Sequence, residues 1–589
     1  MNTARWCAYV CALLILLCTA AASYAAELQD NLRLSWATSA GGSARTDVGI
    51  GTSISVLDDD SCLVAGSFSG TTTFGNGGNE VRLTSAGERD GFIARYNADG
   101  SPAWARRAGD ILNDIAWRVA ALEDGSSLVC GWSARITHVD HEIFLARYDR
   151  NGMLVWNSEA GGGGIDEAWG VSAFPDGSCV IAGIFQDAVT FGLGESNETL
   201  LTSAGERDVF VAKYNTDGTL AWAKRGGGED VDYGTGVRAL SDGSCLITGI
   251  LSSDTATFGD SEQIQLIAAG GYDVFVAKYN SDGTLAWARR DGGMDSDYPH
   301  TLGALENGSC FVTGSFSGVA TFGIDEPRET QLISAGNHDI FVAKYTAEGT
   351  LDWVTRFGGE EDDRGYCVRP LSDGSCLATG TFAGTATFGP EGETGLVSAG
   401  GIDIVVAKYT PEGELDWAGN IGGEDHERAW SMDTNGEEDY LVITGDFKTA
   451  TSLDPAQTEE PLVASGFEDV FVAKYILGEP PEASFTTDVD IDAKTVTFHD
   501  RTTKGKAPYT VEWDLGDGTQ VQNDTDFSHT YGQNGTYYAT LRVTDAHGEV
   551  AQCINVVVVV HLKEVPAGKS VVYILIGLFC CLTSRRLCI

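Results

Sequence analysis

Three stretches of this chain carry nearly the same sequence: DVFVAKYNTDGTLAWAKR (Asp208 to Arg225), DVFVAKYNSDGTLAWARR (Asp273 to Arg290) and DIFVAKYTAEGTLDWVTR (Asp339 to Arg356). So long a match indicates an internal repeat, which has to be recognised before the fold is interpreted. The period is about 65 residues, with one shortened interval. The tyrosine of the motif occurs seven times, as Tyr96, Tyr148, Tyr214, Tyr279, Tyr345, Tyr409 and Tyr475.

Each repeat is predicted to form four strands, labelled A to D. Strand A, such as Gly236 to Ser241, leads through an Asp-Gly turn to strand B, such as Cys245 to Leu251. After a long connection, strand C (Val209 to Tyr214) leads through a second Asp-Gly turn to strand D (Thr219 to Arg225). Asp-Gly between apolar runs is a strong hairpin signal because glycine supplies a positive φ. Strand B is apolar throughout, which is typical of a strand covered on both faces.

Four-stranded units repeated radially form a β-propeller. Trp36 marks a strand D with no strand C before it, whereas the last strand C, Val470 to Tyr475, has no strand D after it. An open solenoid has no use for such a divided unit and would need atypical capping repeats. The sequence therefore predicts an all-β fold with a seven-bladed β-propeller over residues 27–478, whose N-terminal strand closes the last blade. The strand D tryptophans are also seven: Trp36, Trp104, Trp156, Trp222, Trp287, Trp353 and Trp417.

The repeated unit reads G-G-x-x-x-D, then D-G-S-C-L-x-x-G-x-F, then D-x-F-V-A-K-Y, then D-G-x-L-x-W. It resembles the bacterial SBBP family of β-propeller repeats over roughly Leu32 to Tyr475. The resemblance implies an extracytoplasmic propeller. It supplies no catalytic residue, because that family is not defined by an active site.

A second domain is predicted over residues 479–562. Its stretches YTVEWDLGDGTQ (Tyr509 to Gln520) and FSHTYGQNGTYYATLRVTDAHG (Phe527 to Gly548) resemble the PKD (polycystic kidney disease) domain, which implies an immunoglobulin-like β-sandwich. In this interpretation Trp513, Tyr531 and Leu541 are core residues, while Gly516, Asp517 and Gly518 build a tight turn. Some PKD domains bind calcium through an acidic loop, but here Lys504 and Lys506 put positive charge at that place, so we expect no calcium in this domain.

Both ends of the chain look like processing signals. Residues 1–26 contain one basic residue, Arg5, an apolar run from Ala8 to Leu17 and small residues before Ala26, which predicts a secretory signal peptide. The segment 563–589 has a short apolar run, Val571 to Leu582, followed by two arginines. As a helix it would span roughly 18 Å, short of the ~30 Å hydrocarbon core. It resembles a PEP-CTERM sorting tail, although Val565-Pro566-Ala567 stands where Pro-Glu-Pro is expected; an ordinary marginal membrane helix is the alternative.

No catalytic or metal-binding motif stands out. His138 and His141 form a pair without a third ligand nearby, so we interpret them as part of a solvated loop. Cys367 shares a blade with Cys376, but a hairpin centred on its Asp-Gly pair would place Leu371 opposite Cys376. Five cysteines share one position in strand B and are predicted to be buried and unpaired: Cys62, Cys179, Cys245, Cys310 and Cys376.

The loop from strand D to the next strand A is acidic in four repeats. Because connectors alternate ends in a meander, these loops and the long B-to-C connections should gather on one face. Two interpretations stay open: a site for a cation or a basic or sugar-rich partner, or a solvated turn inherited with the repeat. Oxygen ligands suit Ca²⁺, but no known calcium-loop spacing is present, so Ca²⁺ is not favoured and no cofactor is expected. The candidate partner-facing residues are Asp230, Asp232, Asp295, Asp297, Asp362, Asp363 and Asp425.

The chain has 589 residues and a formal net charge of −46, which argues against nucleic acid as a partner because phosphates would repel it. We expect a monomeric, non-enzymatic binding or adhesion protein, secreted or on the bacterial cell surface, with an extracellular protein or glycan as partner. The C-terminal tail would give transient membrane association. The alternative is an extracellular propeller enzyme, a polysaccharide hydrolase or lyase, with the PKD domain as an accessory module.

Overall fold

The computed structural model describes residues 31–42, 48–76, 78–109, 112–134, 140–259, 263–389, 394–455, 460–490 and 493–559. All regular secondary structure in these ranges is β-strand. The chain divides into two compact parts, Met1–Leu477 and Gly478–Ile589. The predicted signal peptide, residues 1–26, and the predicted tail, residues 563–589, lie outside the described residues.

The first part contains seven antiparallel units, each with its strands hydrogen-bonded in the order A, B, C, D. Units 1 and 2 are Gly49–Val56, Cys62–Phe68, Asp90–Tyr96 and Pro102–Ala108, then Asp114–Ala121, Ser127–Ala134, His141–Tyr148 and Leu154–Gly162. Units 3 and 4 are Glu167–Ala173, Cys179–Phe191, Thr199–Tyr214 and Leu220–Gly227, then Tyr233–Ala239, Cys245–Leu251, Asp273–Tyr279 and Leu285–Gly293. Units 5 and 6 are Asp297–Ala304, Cys310–Phe316, Asp339–Tyr345 and Leu351–Gly359, then Arg364–Pro370, Cys376–Phe388, Thr394–Tyr409 and Leu415–Ile421.

Unit 7 is built from both ends of this part. Its strands A, B and C are Glu427–Thr434, Tyr440–Phe447 and Asp469–Leu477, and its strand D is the N-terminal Leu32–Gly42. The closing pair is antiparallel, running from Leu32 opposite Leu477 to Ala40 opposite Val470. This register confirms the predicted pairing of the first strand with the last strand C.

The strand D tryptophan joins six of the seven units to the next; unit 7 has no C-to-D turn that could receive an indole from unit 6. The Trp156 indole N–H of unit 2 donates a hydrogen bond to the Thr216 carbonyl, in the C-to-D turn of unit 3, at 3.1 Å. A Cβ at Gly218 of the same turn would lie 2.7 Å from the Trp156 ring, so only glycine lets the turn lie against the indole. Trp36 makes the same contact with unit 1, donating to the Ala98 carbonyl at 2.9 Å. Unit 7 therefore contacts unit 1 as units 1 to 5 contact their successors.

A short hairpin within the B-to-C connection adds a second contact of this kind. It pairs with the end of strand D in the preceding unit, as where Ala256–Phe258 of unit 4 meets Gly226 and Gly227 of unit 3. The hairpin of unit 1, Thr71–Phe74 with Val81–Thr84, pairs with the N-terminal strand in the same way. The other separate hairpins are Ala256–Phe258 with Ile264–Leu266, Val319–Phe322 with Thr330–Ile333, and Ala450–Thr451 with Leu462–Val463.

The A-to-B turn differs from the prediction by one residue. Cys376 lies opposite Pro370, not Leu371. The reason is a wider turn: the Leu371 N–H donates to the Ser375 carbonyl and the Gly374 N–H donates to the Leu371 carbonyl, both at 2.9 Å. Gly374 has a φ of +87°, as predicted for the glycine of this turn. Cys367 faces Thr379 instead, and both cysteines are free and buried.

The second part is a pair of sheets around one core. The first sheet contains three strands, and the second contains four. Trp513, Tyr531 and Leu541 are each at most 2% exposed, which confirms their predicted core positions. Gly516 and Gly518 have positive φ, as the predicted tight turn requires. The strands are Phe485–Asp490, Thr495–Asp500 and Asp526–Thr530, then Gln520–Gln522, Thr510–Asp514, Gly535–Thr544 and Val550–Val559.

Deleting residues 27–45 should lower the melting temperature strongly, by roughly 10 °C or more, because strand C of unit 7 and the hairpin of unit 1 both lose their partner strand. Differential scanning calorimetry measures this. A chain lacking residues 563–589 is the control for shortening and should melt like the full chain. An unchanged melt of the first variant would contradict the role of the N-terminal strand.

Alkylation tests the burial of the strand B thiols. Burial raises the pKa of Cys62, Cys179, Cys245 and Cys310 to about 12, so thiolate is scarce at neutral pH. Iodoacetamide should label almost none of them in the native chain, and all of them in guanidinium chloride. Peptide mapping by mass spectrometry separates these sites from the cysteines at the chain ends; ready labelling of the native strand B thiols would disprove their burial.

Candidate functional site

The acidic D-to-A loops lie beside the ends of the B-to-C connections, as predicted. Arg207, within strand C of unit 3, forms an isolated bridge with Val231, just before strand A of unit 4. Asp230 and Asp295 are exposed, while Asp362 and Asp425 are half-buried. Asp362 already pairs with His338, whose Nδ1 lies 2.7 Å from its Oδ1. The partner-facing role of these four carboxylates stays a prediction.

Three of the predicted partner-facing residues point inward instead. Asp232, Asp297 and Asp363 are each 0% exposed, so they cannot contact a partner. Each carboxylate accepts a hydrogen bond from the backbone N–H four residues earlier, which holds the loop closed. The distances are 2.8 Å from Gly228 to Asp232, 2.8 Å from Gly293 to Asp297 and 2.6 Å from Gly359 to Asp363.

A second buried carboxylate, at the start of strand C, was missed by the sequence interpretation. It is the aspartate of the D-x-F-V-A-K-Y motif, and in Asp208, Asp273 and Asp339 it is 0% exposed. Each accepts the backbone N–H of an alanine four residues earlier, as Asp208 does from Ala204 at 2.8 Å. The spacing of four residues is the same as in the D-to-A loop, so the pattern S-A-G-x-x-D could have predicted this buried carboxylate from the sequence.

The two kinds of carboxylate meet at a glycine between units. A Cβ at Gly292 would lie 2.3 Å from Asp273 Oδ1 and 2.7 Å from Asp297 Oδ2. Asp273 Oδ1 and Asp297 Oδ1 have no hydrogen-bond partner among the described residues. Burial, together with the charge of Asp273, raises the pKa of Asp297 to about 8. Burial and the neighbouring carboxylate likewise raise the pKa of Asp363 and of Glu427 to about 7.

The innermost strands of the seven units surround a cavity of about 280 Å³. Side chains on these strands accept backbone N–H groups of the neighbouring strand A. Ser172 Oγ accepts from Ala239 at 3.1 Å, and Ser431 Oγ of unit 7 accepts from Ile54 of unit 1 at 3.2 Å. Similar bonds join Ser53 to Val119, Ser55 to Ala121, Thr301 to Val368 and Asp433 to Val56.

Charged side chains occupy only some of the seven equivalent positions in this cavity. Arg118, Arg238 and Arg369 line it with a single carboxylate, Asp433. Asp433 Oδ1 lies 3.1 Å from Arg369 Nε. Burial, then the charge of Arg369, lowers the pKa of Arg238. Three guanidinium groups thus line a cavity with one carboxylate, in a chain whose overall charge is strongly negative.

Aromatic side chains follow strand A around the same axis, and the sequence interpretation did not single them out. In five units an aromatic residue lies three positions after the loop carboxylate. It sits at a β-bulge, and the bulge changes the direction of its side chain. Neighbouring rings touch across units: the centroids of Trp117 and Trp169 are 6.4 Å apart, and those of Tyr366 and Trp430 are 4.6 Å apart. We call Trp117, Trp169, His300, Tyr366 and Trp430 the aromatic belt.

His141 was predicted to lie in a solvated loop, and this was wrong. It begins strand C of unit 2, stacks on Trp132 at 3.8 Å between ring centroids, and its Nδ1 lies 2.5 Å from Glu167 Oε1. His138 lies outside the described residues. Within the described part of the chain, no three His, Cys, Asp or Glu side chains are grouped so that they could hold a metal ion.

The second part can be assigned from its geometry together with its sequence. Its two sheets enclose Trp513, whose indole N–H donates to the Asp524 carbonyl at 2.9 Å, and residues 478–560 match the PKD domain family. This segment is a PKD domain. The PKD domain is 22% identical to the first PKD domain of Vibrio anguillarum Epp; that match covers 14% of this chain and 99% of that one, with a TM-score of 0.14.

Other matches cover longer stretches of the chain. An uncharacterized WD repeat-containing protein of Acanthamoeba polyphaga mimivirus is 20% identical over 67% of this chain and 34% of its own length. The regulatory protein FlaEY of Caulobacter vibrioides is 30% identical over 27% of this chain and 16% of its own length. The chain therefore spans a third or less of these relatives. The extracellular domain of a putative one component system from B. thetaiotaomicron is 9% identical, covering 87% of this chain and 74% of that one, with a TM-score of 0.20. In the described ranges no helix is long and apolar enough to cross a membrane.

The paired carboxylates predict a pH-dependent stability. Folding keeps a proton on Asp297 that the unfolded chain releases above its ordinary pKa of 3.8, so stability should fall as the pH rises toward about 8. Asp297→Asn cannot ionise, and its amide oxygen can still accept the Gly293 N–H. The variant should reduce the slope of unfolding free energy against pH by up to about 1.4 kcal/mol per pH unit.

Denaturant unfolding at several pH values measures this slope. Asp58→Asn, an exposed carboxylate in the A-to-B turn of unit 1, is the control and should keep the pH dependence of the native chain. Equal pH dependence in Asp297→Asn and the native chain would show that Asp297 is ionised when folded.

Proposed function

We propose that this chain is a secreted or cell-surface, non-enzymatic binding protein of a bacterium. Its first part is a seven-bladed β-propeller that serves as an interaction platform. The PKD domain acts as a spacer or as a second module that binds protein or carbohydrate. The protein acts as a monomer and needs no cofactor.

Three kinds of contact support the propeller. The N-terminal strand completes unit 7, Trp36 lies on the turn of unit 1, and Ser431 accepts the Ile54 N–H of the neighbouring strand A. All three join the last unit to the first. An open stack of repeats would leave these terminal groups apart.

Secretion is supported by the signal peptide predicted over residues 1–26. The resemblance to SBBP repeats and the PEP-CTERM-like tail at residues 563–589 agree with an extracytoplasmic location. The tail would associate with the membrane before a sorting protease removes it. The ligand of the mature protein would then be an extracellular protein or glycan.

The main support for a binding function is the set of positions at which the seven units differ in sequence. Residues that join the units, such as the strand D tryptophans and the turn glycines, repeat in nearly every unit. The cavity-lining and aromatic belt positions do not repeat: arginine, serine, glycine and cysteine share one position, and tryptophan, tyrosine, histidine and threonine share another. A repeat frame with one irregular surface is typical of a scaffold that binds through that surface.

An array of bacterial and host glycans and extracellular proteins, probed with the full chain, tests this function. We expect binding to a restricted set of spots and no turnover of any polysaccharide. Trp169→Ala, in the aromatic belt, should weaken that binding about tenfold, the loss expected for a buried aromatic contact. Tyr538→Ala, an exposed aromatic of the PKD domain, is the control for the propeller surface. Turnover of a polysaccharide, or an array without specific spots, would overturn the proposal.

A further inference from the structure

The central cavity has more hydrogen-bond donors than acceptors. Ser172 and Ser431 each use their oxygen to accept a backbone N–H from the neighbouring strand, so the hydroxyl proton remains free to donate. Arg118, Arg238 and Arg369 are donors only. The one carboxylate, Asp433, already accepts from Val56 at 2.9 Å and pairs with Arg369.

Arg238 is the least satisfied of these groups. Its guanidinium forms no hydrogen bond or salt bridge with the described residues, whereas Arg118 donates to the Thr52 carbonyl at 2.8 Å. The Arg369 side chain keeps 33% of its surface exposed, so solvent reaches the cavity. Like charges converging in a half-buried space repel one another, and an anion between them would remove that repulsion.

Arginine also replaces a structural hydrogen bond at these positions. Where Ser172 stands in unit 3, it accepts the N–H of the next strand A; Arg238 stands at the corresponding place in unit 4 and cannot accept one. The same holds for Arg118, at the position of Ser53 in unit 1. Two units thus give up a bond between strands for a positive charge that faces the cavity.

We propose that the central cavity is an oxyanion-binding site, in which Arg238, with Arg118 and Arg369, holds the carboxylate, sulfate or phosphate group of a small ligand. The planar guanidinium forms paired hydrogen bonds with such a group. Serine hydroxyls around the cavity add further donors to the same group. The inference rests on the proposed binding function and specifies the ligand chemistry. A cavity of about 280 Å³ fits a ligand of monosaccharide size, such as an acidic sugar.

Isothermal titration of the full chain with sodium sulfate, inorganic phosphate and D-glucuronate, at constant ionic strength, tests the site. D-glucose is the uncharged counterpart of glucuronate and should not bind. Saturable heat with glucuronate alone identifies a carboxylate ligand, whereas heat with phosphate or sulfate alone identifies the ester oxyanions. Absence of heat with all three anions would overturn the proposal.

Variants separate this site from general surface charge. Arg238→Gln should weaken anion binding at least about tenfold, as expected for the loss of a charged hydrogen bond. Arg82→Gln, an exposed arginine remote in sequence from the cavity strands, removes the same charge and should bind like the native chain. Asp433→Asn removes the competing carboxylate, keeps an oxygen for the Val56 N–H, and should bind the anion as tightly or more tightly.

These variants remain informative if one of them misfolds. Should Arg238→Gln fail to fold, tighter binding by Asp433→Asn supports the site and weaker binding contradicts it. If the array detects a partner that binds Arg238→Gln and the native chain equally, and no anion binds, the oxyanion site is wrong while the proposed function stands. If the anions bind at Arg238 and the array shows no partner, the proposed function fails and the site stands.

Discussion

The contact between a strand D indole and the Asp-Gly turn of the following unit is the constraint on which the first part depends. It requires three things at once: a tryptophan, a carbonyl that faces it and a glycine with positive φ and no Cβ, as in Trp156, Thr216 and Gly218. Each hydrogen bond contributes only about 1 kcal/mol. Because six of the seven units receive such an indole on their C-to-D turn, the contact fixes the spacing and orientation of those units relative to the units before them. The N-terminal strand provides the missing indole, Trp36, for unit 1.

The composition of the chain follows from the same unit. Glycine and acidic residues are both in excess, and they meet at the boundaries between units, where Gly292 leaves room for Asp273 and Asp297. Isolated buried carboxylates are costly, and here backbone N–H groups and a retained proton reduce that cost. Part of the negative formal charge is therefore internal and partly neutralised. The acidity of the sequence overstates the charge that the folded surface presents to a partner.

Local patterns were sufficient to predict the strands, the turns and the partner of the N-terminal strand, because each depends on a short apolar run or an Asp-Gly pair. They were not sufficient for the site. Asp230 and Asp232 lie two residues apart in one loop, yet Asp230 is exposed and Asp232 is 0% exposed. The buried carboxylate is held by Gly228 of its own loop and by Ser252 and Ser253, which follow strand B of the same unit. The predicted hairpin register was off by one residue because an additional hydrogen bond, from the Leu371 N–H to the Ser375 carbonyl, widens the turn. The central cavity could not be predicted, since Arg118, Arg238 and Arg369 come from three units and become neighbours only when the strands A assemble.

Assembly from equivalent units also explains why the cavity is the place where a specific site can arise. At a boundary between units, a side chain has to fit against the neighbouring unit. Tryptophan, glycine and aspartate therefore recur there, and the sequence varies little. At the centre, all seven strands A face one space, and the residues that line it differ from unit to unit. Ser172 and Ser431 form hydrogen bonds to the neighbouring strand A at that space, whereas the Arg238 side chain forms none with the described residues. A symmetric frame can therefore hold an asymmetric set of charges at its centre without losing the contacts that join one unit to the next.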